Sequence, residues 1–75
     1  MTQKYVVEFY QDEEGGWNSQ VPDLPGCVTC GSSLDQVRER IKEAMEDFVE
    51  SLQARSITLQ EPRYSAEVVA IEMSA

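Results

Sequence analysis

Histidine is absent from this chain, so the side chain that most often exchanges protons and binds metals near neutral pH is missing. Serine–histidine and cysteine–histidine dyads are thereby excluded, as are histidine-based zinc sites. Two cysteines are too few for a disulfide scaffold and fit a reducing compartment. Basic residues are scarce, six against fourteen acidic ones, for a formal net charge of −8. Such a surface repels nucleic-acid phosphates and anionic membranes over about one Debye length, roughly 8 Å at physiological salt. No basic segment followed by an apolar run opens the chain, and no stretch approaches the roughly 20 apolar residues that span a bilayer. A cytoplasmic protein with no direct nucleic-acid contact, no membrane contact and no cofactor is expected. A basic protein partner suits its charge.

What is present is a chain of 75 residues, 41% of them hydrophobic, which reads as one globular domain over residues 1–75. Residues 4–10, KYVVEFY, place Tyr5, Val7 and Phe9 on one side and Val6, Glu8 and Tyr10 on the other, the pattern of a strand with one apolar face. QDEEGG supplies a turn, and residues 17–21 alternate again to complete a hairpin. Pro22 and Pro25 stop that strand, and a short third strand is expected over residues 26–31.

Ser33, followed three residues later by Gln36, forms a capping-box pattern. Leu34, Val37, Ile41, Ala44, Met45, Phe48 and Leu52 then recur at three- and four-residue steps, the stripe of an amphipathic helix. Residues 54–65 contain Pro62 and no helical period, so they read as a connector. Residues 66–73, with Val68, Val69, Ala70 and Ile71, read as a last strand. The expected fold is α+β, a two-layer βββαβ domain with one four-stranded sheet covered by one helix. The last strand is expected beside the first and parallel to it through a right-handed crossover. One sheet face then stays open, so a homodimer or higher homo-oligomer is expected.

Cys27-Val28-Thr29-Cys30 has C-x-x-C spacing, which suits half a zinc site or a thioredoxin-type disulfide. Zinc needs about four ligands, and this chain has neither histidine nor a second cysteine pair. Three residues apart on a strand, the two thiols also point to opposite faces. A structural reading, Cys27 or Cys30 buried and the other partly exposed, is preferred, with a thiol redox or zinc protein as the second alternative. Glu8, Glu43 and Glu67 fall on strand, helix and strand, as in a metal-dependent nuclease. Glu43 lies on the helix face turned from the sheet, so the three do not converge, and no enzymatic activity is expected. Asp35, Glu39, Glu43, Glu46 and Glu50 share one helical stripe opposite the apolar one, either a solvated face or a docking surface for a basic partner. Trp17 and Tyr10 are candidates for a site on the open sheet face, or for core and dimer contacts.

Tyr5-Val6-Val7, Gly15-Gly16-Trp17, Val21-Pro22-Asp23-Leu24-Pro25-Gly26-Cys27-Val28, Gly31, Ser33-Leu34 and Ile41-Lys42-Glu43-Ala44 together resemble the N-terminal domain of HicB-like antitoxins, over about residues 4–72. The resemblance implies a partial ribonuclease H-like fold without catalytic carboxylates. It implies a non-catalytic module that binds and blocks a small basic, mRNA-cleaving toxin and that self-associates. Family members carry a C-terminal DNA-binding region. This chain ends after the expected last strand, so operator binding is not carried over. Cys30 stands at a position usually polar in the family, and the connector has only Glu61-Pro62 where a proline-rich approach is usual. A stand-alone oligomeric interaction or ligand-binding protein without a toxin is the first alternative.

Pro22, Pro25, Gly26 and Cys27 are read as building a rigid corner, with Ser33 capping the helix. Partner-binding candidates are Asp23 and Leu24 on that corner, Trp17, and Glu39, Glu43 and Glu46 on the helix.

Overall fold

The computed structural model describes residues 3–74. Three strands, β1 (Glu8–Gln11), β2 (Trp17–Gln20) and β3 (Val28–Gly31), precede one helix, α1 (Leu34–Ala54). The strands form an antiparallel sheet in the order β1-β2-β3, with Phe9 opposite Ser19 and Ser19 opposite Thr29. The class is α+β, with the helix layered on one sheet face.

Local chemistry accounts for each connection. In the β1–β2 turn the Asp12 carboxylate accepts from the backbone amides of Glu14 at 3.0 Å and Gly16 at 2.9 Å, an Asx arrangement that organises the loop. Gly15 takes a φ of 90° there, which a side chain would resist. Between β2 and β3 the chain folds back tightly: Val21 N donates to Cys27 O, Leu24 N to Val21 O and Cys27 N to Leu24 O, all within 3.1 Å. Gly26, also at φ 90°, makes that corner possible.

The helix begins as its sequence requires. Ser33 is the N-cap, its Oγ accepting from Gln36 N at 3.1 Å. The Gln36 side chain reaches one residue further back than a standard capping box, accepting from Ser32 N at 2.7 Å. The helix end uses no glycine. Ser56 adopts φ 56°, while its amide donates to Gln53 O and that of Ile57 to Leu52 O, the paired bonds of a Schellman stop.

Val21, Leu24, Cys27, Val37 and Ile41 are buried. The helix rests on β3 and β2, so the core is complete on that side. Tyr5, Val7, Phe9, Met45 and Phe48 pack against it but remain partly exposed, because β1 lies at the sheet margin with less helix above it.

The expected fourth strand is not borne out. Among the described residues the sheet has three strands, and residues 66–73 make no ladder. Val68 is 105% exposed and Met73 89%. Just before this segment the two Asp23 carboxylate oxygens accept from the amides of Arg63 and Tyr64, each at 2.9 Å. These bonds tie the connector to the β2–β3 corner. Ladders form only where an edge is within reach, so β-forming composition alone does not make a strand. The first strand is also shorter than residues 4–10, because β2 bends away after Gln20 and leaves residues 3–7 without a ladder partner.

Candidate functional site

Asp35, Glu39, Glu43, Glu46 and Glu50 are all exposed along the outer face of α1. Their spacing of three or four residues makes them neighbours on one stripe, where like charges cost about 0.2–0.5 kcal/mol per pair. Of the nearby cations Arg38 pairs with Asp35, while Lys42, exposed between Glu39 and Glu46 in the chain, makes no ion pair among the described residues. Arg40 donates from Nη1 to the Cys30 carbonyl at 2.9 Å, which ties it to β3. Arg38 stands 6.0 Å from the centre of the Phe9 ring and pairs with Asp35 at 3.3 Å. Both arginines are thus drawn toward the sheet, leaving Glu39, Glu43 and Glu46 facing solvent as a negative band. The acidic β1–β2 turn, Asp12 to Glu14, is exposed as well, although Asp12 is committed to holding that turn.

Toward its C-terminal half the band borders an open groove of about 710 Å³, with Tyr5, Met45, Val49 and Leu59 as its apolar lining and Glu46 and Glu50 as its acidic members. The Tyr5 hydroxyl donates to Gln60 O at 2.9 Å, fixing the connector across one end. Burial, with a smaller contribution from the Asp23 charge, raises the Tyr5 pKa, so the hydroxyl remains a neutral donor. Sequence reasoning missed this groove. Its one signal was Val49, four residues after Met45, which widens the apolar stripe toward the acidic one.

The other candidates separate. Leu24, expected on an exposed loop, is 2% exposed and belongs to the core; its branched side chain fills the corner that Pro22 and Pro25 frame. Asp23 is half-buried, its carboxylate occupied by the two amides of the connector. Trp17 alternates with Asn18 on β2 and so shares a side with Ser19 and with buried Val21, the helix-facing side, rather than the open face. Tyr10 does lie on the open face, 54% exposed, beside Asn18 and Cys30.

Cys27 is buried and Cys30 exposed, on opposite sides of the backbone as their spacing requires. Burial raises the Cys27 pKa, which keeps the thiol protonated and unreactive. Among the described residues no group of three or more cysteine or carboxylate side chains is placed to hold a metal ion. No helix of the described residues is long and apolar enough to cross a membrane.

Comparison with known proteins adds kinship to this geometry. A family model described as "HicB_like antitoxin of bacterial toxin-antitoxin system" matches residues 5–73. A UPF0150 protein of Thermoplasma acidophilum is 37% identical over 68 residues, covering 91% of this chain and 96% of its own. One from Thermotoga maritima is 41% identical over 68 residues, 91% of this chain and 80% of its own. Another, from Archaeoglobus fulgidus, is 45% identical over 47 residues, 63% of this chain and 68% of its own. No solved structure gives a significant match.

Proposed function

Because the chain belongs to the HicB-like antitoxin family, we propose that it is a non-catalytic binding module that sequesters a small basic, mRNA-cleaving toxin. The observation that carries this reading is the exposed acidic band of Glu39, Glu43 and Glu46 along α1, which borders an apolar groove. A basic ribonuclease must present cationic groups to RNA phosphates. An acidic surface of opposite shape and charge competes for those same groups, and the apolar lining adds contact area that electrostatics alone does not supply. The net charge of −8 speeds encounter with such a partner and makes association sensitive to salt.

Nothing in this role asks the module for chemistry. Burial keeps its core thiol protonated, and among the described residues no three carboxylate or cysteine side chains are gathered to hold a metal ion. The family resemblance also implies a partial ribonuclease H-like sheet, and the cytoplasmic setting expected from the sequence belongs to the same reading.

The test is a pull-down of the tagged chain from its native cytosol at low and moderate salt, with mass spectrometry of what co-elutes. One small basic protein at fixed ratio, released as salt rises and lost when Glu39, Glu43 and Glu46 are changed to lysine, is the expected result. Recovery that charge reversal leaves intact moves the interface off α1. Recovery of the chain alone favours the self-associating module without a toxin, the reading to which the exposed apolar segment at residues 66–73 also lends support.

A further inference from the structure

The groove beside the second half of α1 differs from the rest of the acidic face in having two kinds of lining. Tyr5, Met45, Val49 and Leu59 make it apolar, and the charged residues among its described lining, Glu46 and Glu50, are both acidic. On α1, Met45 and Val49 stand four residues apart, as do Glu46 and Glu50. The helix therefore offers two parallel rows, one apolar and one acidic, each stepping about 6 Å at about 1.5 Å per residue.

The rest of the lining is held by groups distant in the chain. The Tyr5 hydroxyl donates to Gln60 O at 2.9 Å, which fixes the backbone next to Leu59, and Leu59 itself packs against the buried core. A few residues further on, Asp23 accepts from the amides of Arg63 and Tyr64. With the connector tied at these points the groove is already formed in the free chain, so little ordering is left for a ligand to impose.

We infer that this groove takes a cationic amphipathic helix of the partner, its apolar side chains seated against Met45, Val49 and Leu59 and its lysine or arginine side chains on Glu46 and Glu50. This rests on the toxin-binding reading and names the element of the partner that α1 receives. The two adjacent rows decide between helix and strand. A strand turns a single row of alternate residues toward a surface, whereas a helix face presents neighbouring rows at three- and four-residue steps, which match one apolar and one acidic row of the same period. Charge decides the sign. The chain's own apolar segment, residues 66–73, carries Glu67 and Glu72 and no cation, so neither it nor the same segment of a second copy supplies counter-charges to Glu46 and Glu50. Glu39 and Glu43, outside the groove, then act on the rate of encounter, and the apolar anchors act on how long the complex lasts.

The experiment titrates two synthetic peptides of equal length and charge into the full chain and follows its backbone amides by nuclear magnetic resonance. One peptide is a leucine–lysine helix with leucine at three- and four-residue steps, and the other keeps the lysines and has glutamine for each leucine. The leucine peptide is expected to bind on the order of tenfold tighter or more and to shift the amides of Met45, Val49 and Leu59. Val49→Glu adds negative charge while it removes an apolar contact. It is expected to weaken the leucine peptide about tenfold with the helical circular dichroism kept, whereas a face that works by charge alone binds more tightly. Equal binding of both peptides, spread from Asp35 to Glu50, overturns the inference and leaves toxin binding by the acidic band standing, and so does tighter binding by Val49→Glu. No binding of either peptide at low salt overturns both. A groove already filled in the free chain, by residues 66–73 or by a second copy, with nuclear Overhauser contacts from Val68, Val69 or Ile71 to Val49, overturns the inference as well.

Discussion

Replacing Leu24 by alanine distinguishes a core residue from a docking residue at the motif most characteristic of this chain. The side chain is 2% exposed and packs with Val21, Cys27 and Ile41, so truncation removes buried methyl groups and leaves a cavity. Such changes cost about 2–5 kcal/mol, and a value near 3 suits a corner pinned by three backbone hydrogen bonds that resist collapse. A chain of 75 residues has a total stability of only about 4–11 kcal/mol, from roughly 0.05–0.15 kcal/mol per residue. The loss is therefore a large share, and at about 4–8 °C per kcal/mol the melting temperature falls by roughly 12–24 °C. Urea unfolding followed by circular dichroism measures it, with Leu24→Met, which conserves volume, expected to cost less than about 1.5 kcal/mol. A Leu24→Ala protein that keeps its midpoint within about 1 kcal/mol of the parent yet loses its partner would refute the burial argument and return Leu24 to the interface.

Two further outcomes follow from the thiols and the corner. Alkylation at neutral pH should modify Cys30 alone, and both cysteines once the chain is unfolded. Because burial raises the folded-state pKa of Cys27 above its unfolded value, its stabilising contribution is complete below the ordinary thiol value of about 8.5 and declines as pH rises through the raised one. Tyr5, raised in the same sense, adds to the loss above about pH 10. A urea midpoint that climbs with pH across this range would contradict both assignments. Asp23→Ala removes both acceptors for the Arg63 and Tyr64 amides. Hydrogen exchange at those two amides should accelerate about tenfold, equivalent to about 1.4 kcal/mol for a pair of partly solvated bonds, with the core amides unchanged.

The elements set by local chemistry were legible in the sequence. The Ser33–Gln36 cap and the stripe from Leu34 to Leu52 each report a preference that neighbouring residues satisfy by themselves, whereas of Tyr5, Val7 and Phe9 only Phe9 lies in β1. The acidic row of α1 was legible for the same reason, since helical spacing alone puts Glu39, Glu43 and Glu46 together. What failed depends on distant groups. Residues 66–73 have strand composition, but a ladder needs a partner edge, which composition does not report. Leu24 lies between prolines in a polar-looking loop, and only the fold of the corner turns it inward. For Trp17 an open-face site and a core or dimer contact both stay open in the sequence, because aromatic residues suit either side of a sheet, whereas its parity with Val21 decides the matter. The groove beside Met45 and Val49 escaped notice because it joins the helix to Tyr5 and Leu59, which no periodicity relates.

The most direct test of toxin sequestration is a titration of mRNA cleavage by the co-purified basic partner against this chain. Cleavage falling to background at a fixed stoichiometry, and restored when Glu39, Glu43 and Glu46 carry lysine, is the result predicted. Cleavage that continues undiminished in excess of the chain at low salt would contradict it.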